Sequence, residues 1–557
     1  MPNENMDRIK HGAHIEKDHP LEGGINEVVA ILLKAVESPE LSLIIRAEIR
    51  RKLNDVIERS LQCETAPDFV EDTASPMVEK EYEGVEYEEL LKLMEDAQML
   101  SRGMKFQGSK TPWKGGGYVW QGNGMKFKER IFGGFGELLD KLGYEHFQTP
   151  RELPREIIDA VCEGVVDLEK GTYWLAELRD GSLRNSGLYA NSSNDAVVSY
   201  YLANRAKSGE KVLPFRGYSR HQIIRSHRDN VNTKALLNSD ENYECNEAYS
   251  VQETVEEAEA EFEAIISTMQ SYFKGMGISF LTVDQSNWGN KPVAKKVTSF
   301  QAYGAPVKGS VRLATIYMHD NTFSKLFELG TRKEDGSIEY AHQVGYGLSE
   351  GLIVPLLDHL ADKHGLCLPP DLAHNQVVFI PKNEKEETKS LEIKQLLDNP
   401  DRVLIDTSYN KRYGRRLNKH LAAGIPLRVT FNEDGGRVVL SRRDTLKKHE
   451  LGPEEFIVAV PHLLSSIKEN YVERSRKYTE AHLAEAHHVD EIAQLVKDQK
   501  LVIFNHCAAD ECAIKMERAL TGEFLGHVRE FPAKGNCIGC GQDGKRKGLF
   551  GRRAPTP

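Results

Sequence analysis

The sequence has no apolar run of the ~18 residues that a membrane helix needs, so it predicts no membrane partner. Met1 to Gly12 carry no apolar core of the kind a signal peptide requires, and the expectation is a cytoplasmic protein. Internal repeats and extended low-complexity tracts are missing, which excludes solenoids and fibrous chains. Positive charge is in deficit: 73 Lys and Arg against 84 Asp and Glu leave a net charge of −11. That excludes a chain wrapped wholesale in nucleic acid and predicts no DNA partner, but it leaves room for a local basic face. Cysteine is scarce, 8 residues in 557. Cys63, Cys162, Cys245 and Cys367 stand alone and read as ordinary thiols of a reducing compartment.

What is present is enough length for three or four domains. Residues 1–100 read as a helical extension, with a hairpin over 25–62 broken at Pro39, an acidic linker from Glu64 to Glu89 and an amphipathic helix over Tyr87–Leu100. Residues 103–124, rich in Gly, Lys and Trp, read as a loop. Within 101–371, helices over Lys126–Leu142 and Glu253–Met276 mix with strands near Tyr144–Thr149, Gly187–Ala190, His221–Ser226, Ile278–Val283, Lys295–Tyr303 and Val311–Met318. Runs of like elements without strict alternation predict an α+β fold, an antiparallel sheet flanked by helices. Residues 372–480 alternate strand and helix and predict a small α/β domain with a mixed sheet. The basic residues Lys411, Arg412, Arg415, Arg416, Arg442, Arg443, Lys447 and Lys448 gather there.

The last segment, 481–557, holds the remaining cysteines as Cys507-x4-Cys512 and Cys537-x2-Cys540-Gly541. Four thiolates so spaced suit a closed tetrahedral zinc site, structural in role because no coordination position stays open. Disulfides are the alternative, and His506 is an alternative ligand.

The most telling stretch is Ala341 to Pro381: a strand, a Gly-rich turn, a helix of about three turns and a Pro-Pro stop before a buried strand. With Gly347-Leu348-Ser349-Glu350-Gly351 at the turn, it resembles the third motif of a class II aminoacyl-tRNA synthetase of the prolyl type. The resemblance covers about residues 120 to 553. It includes Thr322-Phe323-Ser324-Lys325-Leu326-Phe327-Glu328, the Asp406-to-Gly414 spacing and Gly424-Ile425-Pro426-Leu427-Arg428. At the C-terminus the four-cysteine arrangement, followed by Leu549-Phe550-Gly551-Arg552, is similar to that of archaeal and eukaryotic-type members.

The resemblance implies a class II sheet, an α/β anticodon-binding domain, a C-terminal zinc domain and a homodimer. It also implies ATP-dependent activation of an amino acid, with Mg2+, and transfer to tRNA. Catalysis of that kind rests on positioning and on positive charge. Arg225, in the second motif, is the candidate for the α-phosphate, and Glu241 is retained after the loop. Ser193, Asp195, Thr298, Thr315 and Ser349 fall at amino-acid-contacting or ATP-contacting places, and Arg412, Arg415, Arg416 and Arg428 at tRNA-contacting ones.

Several departures accompany these matches. The family's arginines are replaced by Asn191, Asp240 and Gly351, its motif-two glutamate by His227, and its base-reading acid is missing from Leu421-Ala422-Ala423. Arg220, Arg228, Arg312 and Lys325 are the candidates to compensate. Two functions follow as expectations. One is a prolyl-type ligase, acting on proline or on a changed amino acid. The other is a degenerate paralogue that binds tRNA or a protein partner without charging.

Overall fold

A computed structural model describes residues 84–102, 118–164, 174–179, 182–191, 193–224, 242–285 and 294–553. The expected hairpin over 25–62, most of the acidic linker and the stretch 103–117 lie outside the described residues.

A sheet of 11 strands organises the molecule. Its central strands are Phe215–Ile224, Asn242–Gln252, His342–Ser349, Gly309–Asp320, Lys296–Gly304 and Leu281–Asp284, adjacent in that spatial order. All are antiparallel to their neighbours, as the order of elements in the sequence predicts. Their alternation separates two faces. Ile316, Met318, Val344, Tyr346 and Leu348 point into the main core, where the helices Gly122–Lys141 and Val255–Met276 cover them with Phe127, Ile131, Phe135, Phe262, Ile266 and Phe273. The longer helix begins in a capping box, Thr254 with Glu257, and ends at Gly277 in the left-handed region. The opposite face carries the polar members of the same strands.

The stretch from Ala341 departs from expectation in one respect. Its helix is short: Glu350–Leu352 is 3-10 and only Ile353–Asp358 is α-helical. Buried Asp358 explains the arrest, because its carboxylate accepts from Val85 N, Ala305 N and the Tyr478 hydroxyl and so pins the chain to three distant segments.

Residues 377–451 form a separate five-stranded mixed sheet, ordered Val403–Ile405, Val377–Phe379, Leu427–Phe431, Val438–Arg442 and Lys448–Leu451. Helices Glu384–Leu396, Tyr413–Ala422 and Pro453–Ala481 accompany it. The segment after 481 is not set apart from the main sheet. Glu523–Val528 pairs with the edge strand Leu281–Asp284, and Arg546–Gly551, Leu501–His506 and Leu483–Glu485 continue outward. No helix among the described residues is long and apolar enough to cross a membrane.

Candidate active-site cleft, thiol cluster and basic surface

Cross-strand registers assemble the polar face row by row. One row runs Ser299, Thr315, Gly347, Glu247 and Ser219, and the next runs Tyr317, Gly345, Tyr249 and Gly217. A third joins Ser349, Cys245 and His221. Thr315 and Ser349 therefore share a face, as expected of residues lining one cleft. Thr298 does not join them. It pairs with Ile316 on the helix-covered face and donates to Asp284 Oδ1 at 2.7 Å. Asp284 also binds Arg529 at 2.8 Å and Arg546. Burial alone would raise the Asp284 carboxyl, but those bonds outweigh it and hold it low. Period-two alternation sends Thr298 and Thr315 to opposite sides of the sheet.

The turn before helix Asp195–Lys207 closes one end of this face. Ser193 Oγ donates to Asp195 Oδ2 at 2.8 Å, and His319 Nε2 lies 3.1 Å from Asp195 Oδ1. Buried Asn191, at the expected arginine position, serves the turn itself: its amide donates to Pro150 O and to Asn194 Oδ1 and accepts from Ser193 N. Between these groups Gly345 is closely surrounded. A Cβ there would stand 3.0 Å from Asp195 Oδ1, 3.4 Å from Tyr249 Cε1 and 3.5 Å from His319 Nε2.

Asn194 and Glu247 meet His221 at the floor of the same cleft. His221 Nε2 lies 3.4 Å from Cys245 Sγ and 3.4 Å from Glu247 Oε2, and Tyr249 donates its hydroxyl to Glu247 at 2.8 Å. Burial, then the Glu247 charge, push the Tyr249 hydroxyl well above its ordinary range, so it stays a donor.

At the other end, beside Gly351, two cations are engaged by three carboxylates. Buried Lys128 pairs with both Glu244 and Glu350, and Arg220 binds Glu244 at 2.5 Å and Glu129 at 2.6 Å. Burial raises the Glu350 carboxyl against the opposing pull of Lys128. Arg220, one of the arginines expected to compensate, is thus already engaged, and Lys325 is exposed on its short helix. Arg225, Glu241 and Arg228 lie outside the described residues. Sequence reading missed the roles of Lys128, Glu244, His221, Cys245 and Glu247. Alternation of Cys245, Glu247 and Tyr249 marks one strand face, but only the register shows that His221 joins them.

The C-terminal thiols do converge. Cys512 Sγ and Cys537 Sγ are 3.7 Å apart, close to the ~3.8 Å edge of a tetrahedral four-sulfur zinc site. Ligand atoms of His506, Cys507, Cys512 and Cys537 all lie within 4.8 Å of one another, and exposed Cys540 neighbours Cys507, Cys512 and Cys537. Gly541 N closes the second dyad on Cys537 O at 2.8 Å. This donor set fits a zinc ion. His506 Nδ1 is engaged by His527 at 3.0 Å and by Ala508 N at 3.1 Å, while its Nε2 is buried without a hydrogen-bond partner.

The basic segment divides. Arg412 and Arg415 are exposed at the start of helix Tyr413–Ala422. Arg416 is withdrawn from the surface: it donates to Pro381 O at 2.9 Å and to Asp406 O and lies over Tyr409, because it holds the helix to the sheet. Arg442 and Arg443 are likewise buried, on Asp444 and Asp362. Arg428 is half-buried, opposite Val378 and Ser441 on the face that helix covers, and its Nε has no hydrogen-bond partner. Burial, with Arg443 nearby, lowers it to about 10.

A helix-backed antiparallel sheet joined to a small mixed-sheet domain is the architecture of a class II aminoacyl-tRNA synthetase. Residues 376–463 match the family model of the anticodon binding domain. Beyond that segment, the chain is similar to the proline--tRNA ligase of Methanothermobacter thermautotrophicus, 27% identical over 81% of this chain and 92% of that one. It is also similar to those of Pyrococcus horikoshii, 26% identical over 78% and 92%, and Sulfolobus acidocaldarius, 24% over 78% and 92%. The chain is a prolyl-tRNA synthetase-like protein.

Proposed function

We propose that the protein is an ATP-dependent, prolyl-type aminoacyl-tRNA ligase whose amino-acid pocket has been rebuilt. The observation that supports this is the polar face of the sheet, on which Thr315 and Ser349 lie together, with the Ser193–Asp195 turn at one end. In this reading Ser193, Thr315 and Ser349 contact the substrates, and the Asp195 carboxylate beside Gly345 suits the ammonium of an amino acid. In this reading Arg225 meets the α-phosphate of ATP, with Mg2+ and Glu241 beside it, and the carboxylate of the amino acid attacks that phosphorus as pyrophosphate departs. Exposed Arg412 and Arg415, with Arg428, meet tRNA phosphates. Cys507, Cys512, Cys537 and Cys540 hold a structural Zn2+, the chain pairs as a homodimer, and it works in the cytoplasm.

One observation favours the second reading, a paralogue that binds tRNA or a partner without charging it. Gly351 stands where the resemblance expects the third motif's arginine, and the buried cation Lys128 is already paired with Glu244 and Glu350. Incubation of the full chain with ATP, a tRNA pool and each amino acid separates the two. Formation of an aminoacyl ester on one tRNA species supports the ligase. Filter-bound tRNA with no ester formed for any amino acid contradicts it.

A further inference from the structure

We propose that His221, Cys245 and Glu247 form a metal centre at the floor of the cleft, distinct from the C-terminal thiol cluster, which takes Zn2+ or a similar borderline divalent cation. The inference rests on distances. Zinc bonds to imidazole nitrogen, thiolate and carboxylate oxygen, arranged tetrahedrally, place nitrogen and sulfur about 3.6 Å apart and nitrogen and oxygen about 3.4 Å apart. Here His221 Nε2 is 3.4 Å from Cys245 Sγ and 3.4 Å from Glu247 Oε2, and the three ligand atoms lie within 4.8 Å of one another. The three residues come from adjacent strands, His221 directly opposite Cys245, so the sheet fixes the triangle.

An outer shell is in place. Tyr249 OH donates to Glu247 Oε2 at 2.8 Å, orienting the ligand carboxylate. The Asn194 amide nitrogen lies 2.9 Å from His221 Nε2 and 3.5 Å from Glu247 Oε2. Thr149 and Asn191 hold the Asn194 oxygen, which fixes the amide with its hydrogens towards those two acceptors. An ion bound by His221 and Glu247 replaces these two contacts of the Asn194 nitrogen.

Three protein ligands leave a fourth position for a substrate. Tyr249 links the ligand Glu247 to the neighbourhood of Gly345, where Asp195 and His319 also lie. An α-amino acid bound with its ammonium at Asp195 would bring a side-chain heteroatom to the metal. The substrate class is then an amino acid with a hydroxyl or thiol, rather than one with an apolar ring. This substrate assignment rests on the ligase reading; the metal centre does not.

The test is zinc content per chain of the full-length protein, by elemental analysis, before and after Cys245→Ala. Loss of about one equivalent is expected, whatever the C-terminal cluster holds. An unchanged zinc content overturns the centre and leaves a polar network. Should Cys245→Ala fail to fold, Glu247→Gln keeps shape and removes charge: a lower zinc content at the same chelator concentration is expected, and an unchanged one overturns the centre. Pyrophosphate exchange separates the two readings. A chain that holds this zinc but activates no amino acid keeps the metal centre and overturns the substrate assignment. Zinc-dependent exchange with serine, threonine or cysteine supports both.

Discussion

Gly345 shows how much a single atom decides in this cleft. A methyl group at that position meets Asp195, Tyr249 and His319 at once, and none of the three is at the far end of a long, flexible chain. Gly345→Ala should therefore leave the fold intact and raise the amino-acid KM of activation about tenfold or more, since a misplaced ligand loses its ammonium contact. Equal kinetics in the two proteins would show that no substrate binds beside Gly345. Arg443 makes the opposite kind of residue-level claim. It is fully buried, bidentate to Asp362 at 2.8 and 2.7 Å, and it donates further to Leu366 O and Leu421 O. Removing one partner of a buried pair costs about 3–5 kcal/mol, so Arg443→Ala should lower the denaturation midpoint sharply. Burial alone would raise the Asp362 carboxyl, yet the Arg443 bonds hold it below its usual range. Its contribution is thus complete above the unfolded carboxylate pKa, about 4, and is lost as pH falls through the lower folded value. Urea unfolding at pH 7 and pH 3 should show the Arg443→Ala deficit shrinking at the acid end.

Strands and helices were largely legible because their periodicities are local. Helix Val255–Met276 and strand Lys296–Gly304 fall within a residue or two of expectation, whereas the central strand Asn242–Gln252 was not among the expected elements. The side of the sheet a residue faces was not legible, because it depends on register: Thr298 and Thr315 read alike in sequence and lie on opposite faces. Nor was the burial of Arg416, which is held by the backbone carbonyls of Pro381 and Asp406 and by the Asp406 carboxylate at 3.5 Å. The junction between the main sheet and the cysteine-bearing segment was equally hidden. There Gly526, at φ +128°, lies against Asp284 O and Val283 where the edge strand pairs. Gly526→Val should push these strands apart and speed amide exchange in both Leu281–Asp284 and Glu523–Val528, read by hydrogen-exchange mass spectrometry. Unchanged protection in both strands would mean the two halves of the sheet are held by other contacts.

At the scale of the whole molecule, the helix-backed sheet and the mixed-sheet domain carry the class II architecture, and the Methanothermobacter proline--tRNA ligase aligns with the chain over 92% of its own length. Within that scaffold Asn191 braces a turn, Lys128 is paired with two carboxylates, and Cys245 stands beside His221 and Glu247 rather than alone. In the proposed reading these residues belong to a ligase whose amino-acid pocket has been rebuilt. The most direct measurement is ATP–pyrophosphate exchange on the full chain, scanned across all amino acids, with an authentic prolyl-tRNA synthetase as positive control. Exchange with one amino acid, and weaker exchange with proline, is the predicted result. No exchange with any amino acid, while the control is active, would contradict the ligase account.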